Sequence, residues 1–158
     1  MKLDTRELTL DLKSIRSGSC AERYSIPLDE IEWNLEDLEP ASSTGILELS
    51  VTCRESTWVC SGFFSVEFVT PCARCLEKAF FTVDAEVYRI YTWDDQLADD
   101  LDTELITSRD GTVSILDAVR EAVILSVPGK PLCREGCSGL CPICGVNLNV
   151  TSCEHSGS

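Results

Sequence analysis

A chain of 158 residues in which 44% are hydrophobic has room for one packed core and a small appendage, but not for two full domains. Its net charge of −14, from 27 acids against 13 Lys and Arg, makes a surface that repels phosphate, which excludes broad electrostatic binding of nucleic acid by the body of the protein. No apolar run approaches the roughly 18 residues of a membrane span, and the opening MKLDTRELTL carries acids where a targeting peptide would not, so the sequence predicts a cytoplasmic protein without membrane contact.

Leu8, Leu10 and Leu12 alternate with Thr9 and Asp11, which predicts a half-buried strand over residues 3–12. Residues 14–30, rich in turn formers, read as a loop, and the acidic IEWNLEDLEP that follows reads as a short strand or edge segment stopped at Pro40. The clearest strand covers residues 46–54, where Leu47, Leu49, Val51 and Cys53 alternate with polar neighbours. A second covers 58–70, with Trp58, Cys60, Phe64, Val66 and Phe68 on one face. The third, over 79–92, turns Phe81, Val83, Ala85 and Val87 inward, and its alternation breaks near Arg89 and Ile90, where a bulge is predicted. Residues 94–111 are polar and read as a long mobile loop. A helix is predicted over 114–127, with Ser114 as N-cap, Asp117 three residues on, and Pro128 as the stop. Its apolar face, carrying Ile115, Leu116, Val119, Ala122, Val123 and Leu125, is suited to cover a sheet.

These elements give an α+β fold: an antiparallel, curled β-sheet covered by one amphipathic helix, with a small C-terminal Cys-rich zinc knuckle. The division is a β-rich domain over residues 1–128 and a metal-binding tail over 129–158. The acidic runs at 22–39 and 94–104 read as solvated loops.

The ten cysteines carry the chemistry. With no secretory signal and with CxxC spacing, they fit metal binding in a reducing compartment better than a disulfide framework. Cys141, Pro142, Ile143, Cys144 and Gly145 form a zinc-knuckle sequence, in which a tight turn opened by glycine aims two sulfurs at one ion. Cys72 and Cys75, in TPCARCLEK between the second and third strands, place another such unit at a hairpin tip. With Cys133, Cys137, Cys153 and His155 these make eight ligands, enough for two four-coordinate sites. The favoured pairing joins Cys72 and Cys75 to Cys133 and Cys137, and closes a second site with Cys141, Cys144, Cys153 and His155. A single site of Cys133, Cys137, Cys141 and Cys144 is the alternative. Cys72 and Cys75 also admit a redox pair, and His155, near a fraying end, is either ligand or spectator. Cys53 and Cys60 read as small buried apolar side chains, and Cys20 as a free thiol.

Cys137, Cys141 and Cys144 have a C-x3-C-x2-C spacing that resembles the radical S-adenosylmethionine enzymes, but only residues 145–158 follow, where that family has a long barrel. A hydrolase or transferase lacks support: the lone histidine is terminal and there is no Gly-rich phosphate loop.

PCARCLE after a strand, EAVILSVPGKPLC in the helix, and LCREGCSGLCPICGVNLN followed by Cys153 resemble the YceD-like large-ribosomal-RNA accumulation proteins of bacteria and plastids. This chain has His155 where that family often closes with a cysteine. The resemblance implies a non-enzymatic factor that supports synthesis, stability or processing of large-subunit ribosomal RNA during ribosome assembly; the cysteine sets add structural zinc, one or two ions. The acidic surface suits docking on a basic ribosomal protein or a pre-ribosomal large subunit, with RNA contacted only locally through the neutral cysteine-bearing end. Two other readings compete: a thiol–disulfide or iron–sulfur redox protein, and a zinc-dependent protein-binding adaptor unrelated to ribosomes.

Overall fold

The alternation over residues 44–92 is realised as three long consecutive strands, β5 (Thr44–Arg54), β6 (Thr57–Pro71) and β7 (Lys78–Thr92). They pair in sequence order and antiparallel in a computed structural model that describes residues 1–29, 31–33, 38–98 and 102–155. Around them lie β1 (Leu3–Asp4), β2 (Thr9–Asp11), β3 (Gly18–Pro27), β4 (Glu39–Pro40), β8 (Thr103–Leu105), β9 (Thr112–Ser114) and one helix, α1 (Leu116–Ser126). The main sheet has the order β3-β5-β6-β7-β8, with β4 on the far half of β6. A second sheet has the order β1-β2-β9. The fold is therefore α+β, a mostly antiparallel sheet with one helix; the β7–β8 pair is parallel. Among the described residues, no helix is long and apolar enough to cross a membrane.

One face of the main sheet carries the core. Leu47, Leu49 and Val51 of β5, Phe64, Val66 and Phe68 of β6, and Val83, Ala85 and Val87 of β7 are buried there with Leu8, Leu10 and Leu12 from the N-terminal segment. Each of these Leu, Val and Phe side chains contributes about 1.5–3 kcal/mol on burial. Trp33 stacks on Phe64 at 6.0 Å and meets Phe68 edge-on at 5.5 Å. Val119 and Val123 of α1 complete the cluster. Cys53 and Cys60 are buried in it as small apolar side chains.

Several elements differ from the sequence reading, each for a local reason. Residues 18–27 form an edge strand: among the described residues it pairs on one side only, and it is mostly exposed, so its composition is that of a loop. Cys20 is half-buried on that strand, with its Sγ 3.7 Å from the Met1 amine. Residues 3–12 are split into β1 and β2 by a turn, with Leu8 at φ +50°. Among the described residues of the acidic segment 31–40, only Glu39–Pro40 pairs as a strand; Ile31 and Trp33 are buried, and residues 34–37 lie outside the described residues. There is no bulge at Arg89, because the β6–β7 register runs unbroken from Thr57↔Thr92 to Pro71↔Lys78. Arg89 holds the inward-facing position by pairing with Glu121 of α1 at 2.7 Å and Glu104 of β8 at 3.3 Å. The segment 94–111 is not all loop: Thr103–Leu105 pairs with β7, while residues 99–101 lie outside the described residues. The helix begins at Leu116, because Ser114 pairs with Thr9 in β9 and Ile115 N donates to Leu8 O at 2.8 Å. Ser114 Oγ still accepts from Leu116 N at 3.3 Å.

Gly62 of β6 sits tight against the β5 backbone. A Cβ there would lie 1.9 Å from Glu48 O, a backbone atom that cannot rotate aside. Gly62→Ala is expected to lower unfolding free energy by about 1–3 kcal/mol through this overpacking. Denaturant titration checks it, and an unchanged midpoint would show that the strands part freely.

Candidate metal centres

The β6–β7 hairpin ends in a tight turn that carries Cys72 and Cys75. Cys72 N donates to Glu77 O at 2.7 Å and Leu76 N to Cys72 O at 3.1 Å, just beyond the Pro71↔Lys78 pair. The tail repeats this pattern. Cys141 N donates to Val146 O at 2.8 Å and Gly145 N to Cys141 O at 2.8 Å, beside a bridge between Leu140 and Asn147. The fifth position of each turn needs a left-handed backbone, which Gly145 adopts at φ +75° without strain. Leu76 occupies the equivalent position at φ +62° with its side chain 69% exposed.

The tail is fastened to the hairpin tip by backbone and side chain. Ala73 N donates to Pro131 O at 2.9 Å, Leu140 N to Arg74 O at 3.1 Å, and the Arg74 guanidinium to Cys137 O at 2.8 Å. This gathers Cys72, Cys75 and Cys137, with Ala79, into a small buried cluster apart from the main core, against which Leu132, Cys133 and Leu140 pack. Cys72 Sγ lies 3.8 Å from Cys137 Sγ, and Cys75 Sγ 3.5 Å from Cys133 Sγ. The donor atoms of these four residues all lie within 4.8 Å of one another, and so do those of Cys141, Cys144, Cys153 and His155. None of the ten cysteines is in a disulfide.

The eight residues singled out from the sequence thus come together as two groups of four. Cys133 and Cys137 fall in the first group and Cys141 and Cys144 in the second. Those four therefore do not surround one point, and the C-x3-C-x2-C triad is not gathered either. The first group is buried apart from half-buried Cys133; in the second, Cys144 and His155 are exposed.

Close thiols govern one another's ionisation. Burial alone would push the Cys72 thiol up, but amide donors from Arg74, Cys133 and Cys75 offset it and hold it at about 6. Its neighbour Cys133 is pushed up to about 12, first through its hydrogen bond with Cys75 and then through burial. In the second group the Cys144 and Ile143 amides bring Cys141 down to about 6. Cys153 is raised by burial and by the nearby thiols. The first group thus favours Cys72 and Cys137 as thiolates and holds back Cys75 and Cys133, and the second favours Cys141 and holds back Cys153, a frustration that a cation among the sulfurs relieves. Zinc–sulfur bonds of about 2.3 Å in a tetrahedron set sulfur–sulfur separations near 3.8 Å. The observed spacings, and donor sets of four thiolates and of three thiolates with an imidazole, fit zinc.

Sequence reasoning missed two contributors. Arg74, between the first two cysteines, ties the tail down. Asn149 donates from Nδ2 to Cys137 Sγ at 3.3 Å. The only sequence signal for it is the Asn-x-Asn of GVNLN, which suits a turn.

The family described as large ribosomal RNA subunit accumulation protein YceD matches this chain over residues 61–158, from the middle of β6 through both cysteine groups. The chain belongs to that family. Curated relatives include uncharacterized proteins of Mycobacterium bovis and Mycobacterium tuberculosis, each 32% identical over 104 residues, or 65% of this chain and 50% of the relative. An uncharacterized protein of Mycobacterium leprae is 26% identical over 135 residues, covering 81% of this chain and 56% of the relative. The chain spans about half the length of the curated relatives it matches. No solved structure matches it. For this YceD-family chain, all eight candidate donors lie within the matched segment.

Leu76→Gly removes a left-handed Leu, whose strain is about 1–2 kcal/mol, against a smaller entropic cost of about 0.5–1 kcal/mol for glycine. The variant is expected to unfold at equal or slightly higher temperature than the parent, as read by a thermal melt. A drop of several degrees would mean that the Leu76 side chain packs in the folded protein.

Proposed function

We propose that this chain is a non-enzymatic factor for accumulation of the large ribosomal RNA subunit, acting in the cytoplasm during ribosome assembly and held in shape by zinc. Cys72, Cys75, Cys133 and Cys137 hold one ion, and Cys141, Cys144, Cys153 and His155 hold a second. The observation that carries the reading is the gathering of eight donors into two groups, each within 4.8 Å, inside the segment matched by the YceD family. Zinc supplies charge neutralisation of the thiolates and a cross-link between tail and hairpin, and its binding free energy is part of the folding free energy of the tail. Burial of Cys72 and Cys75 speaks against thiol–disulfide exchange, which needs an attacking thiol to reach a sulfur. The partner is a pre-ribosomal large subunit or a basic ribosomal protein on it: a net charge of −14 favours a cationic protein surface over bare phosphate. RNA is touched only locally, through the cysteine-bearing end.

Metal analysis of protein purified anaerobically without chelator is expected to give about two zinc ions per chain, and less than about one would overturn the zinc staple. Cosedimentation with large-subunit precursors in a gradient tests the ribosomal role. Association is expected for the parent and its loss for Cys141→Ser. A parent that stays at the top of the gradient would favour an adaptor unrelated to ribosomes.

A further inference from the structure

The loop between Cys144 and Cys153 does more than join two members of the second cysteine group. It turns back across the first. Leu148 N donates to Gly139 O at 2.9 Å, and the Arg134 guanidinium donates to Asn149 O at 3.3 Å. Asn149 is pinned at every polar atom of its side chain. Its Oδ1 accepts from Ser138 N at 2.8 Å, and its Nδ2 donates to Asn147 Oδ1 at 2.8 Å and to Cys137 Sγ at 3.3 Å. The amide that donates to Oδ1 fixes which way the carboxamide faces, so the N–H on Cys137 follows from the local bonding. One side chain, carried by a loop whose ends are Cys144 and Cys153, thus donates to a sulfur of the other group.

Two physical effects meet there. An N–H donor on a thiolate favours the charged, metal-binding form, and removal of such outer partners of a ligand typically lowers metal affinity by about 10–100-fold. Holding the loop in place also costs conformational entropy, part of which is already lost once Cys144 and Cys153 are tethered to one ion.

We propose that Asn149 couples the two centres: an ion at the second group orders residues 145–152, holds the Asn149 carboxamide on Cys137, and so tightens the ion at the first. By linkage, filling the first strengthens the second to the same degree. The inference rests on the zinc reading above and adds that the exposed centre controls retention at the buried one. Asn149 is a positioning residue; it binds no metal.

The test uses the full chain loaded with zinc and challenged with excess chelator. Alkylation of Cys72 and Cys75, followed by peptide mass spectrometry, reads opening of the first centre alone. Cys144→Ser with Cys153→Ser is expected to speed that alkylation about 10–100-fold. Asn149→Ala, which keeps every ligand and changes only the loop, is expected to do nearly the same, and combining all three changes should add little. In the cobalt-substituted protein Asn149→Ala should also shift the sulfur-to-metal charge-transfer band, which loss of packing alone would not. Unchanged alkylation in either variant, or effects that simply multiply, would overturn the coupling while two zinc ions in the parent leave the staple standing. A parent that holds only about one zinc overturns the coupling alone, and one that holds none overturns both.

Discussion

The β6–β7 pair is the constraint on which the rest of the molecule depends. Its register holds over the full length of both strands, from Thr57↔Thr92 to Pro71↔Lys78, so every inward side chain has a fixed cross-strand neighbour. A slip of one residue would turn outward either Phe64 and Phe68 of β6 or Val83 and Val87 of β7. The same register sets where the chain must reverse, and the residues at the reversal are Cys72 and Cys75. Core packing at one end of the hairpin and cysteine geometry at the other are therefore one decision. Arg89 shows how firmly the register is held. A charged residue occupies an inward position, and the fold accommodates it by bringing Glu121 and Glu104 to it.

The second organising force is the mutual repulsion of close thiolates. Four sulfurs in contact distance, most of them out of water, cannot all ionise and cannot all be hydrogen-bonded well. Amides at the turns favour ionisation of Cys72 and Cys141, while Cys133 and Cys153 are held back. The tail has little apolar surface of its own with which to dock on the hairpin: Leu132 and Leu140 are only partly buried against the cysteine cluster. What attaches it is a set of backbone bonds around the sulfurs together with the Arg74 guanidinium on Cys137 O.

Much of this was legible in the sequence. The three long strands alternate cleanly because one face is buried, and period-two patterning survives where burial is one-sided. Both cysteine turns could be read, because CxxC spacing needs little tertiary context, even though the first turn puts Leu76 where the second has Gly145. The edge strand β3 escaped because an edge position does not demand apolar residues. β8 escaped because three paired residues in an acidic segment carry no pattern. The apparent break at Arg89 misled because its charge is satisfied by Glu104 and Glu121, distant in sequence. Asn149 could not be weighed from sequence, since its role depends on a loop folding back over a sulfur it does not neighbour along the chain.

The first cysteine group also dictates an order of events. Its two sulfur–sulfur contacts join residues 58 and 65 positions apart, with β7, β8, β9 and α1 in between. Closing so long a loop before those elements have collapsed carries an entropic penalty with nothing to offset it. Once β7 and α1 have packed, the ends of the loop are already near each other and the penalty has been met by the core. The buried cysteine cluster is thus a latch that engages after the body has folded, so its closure reports that folding is complete.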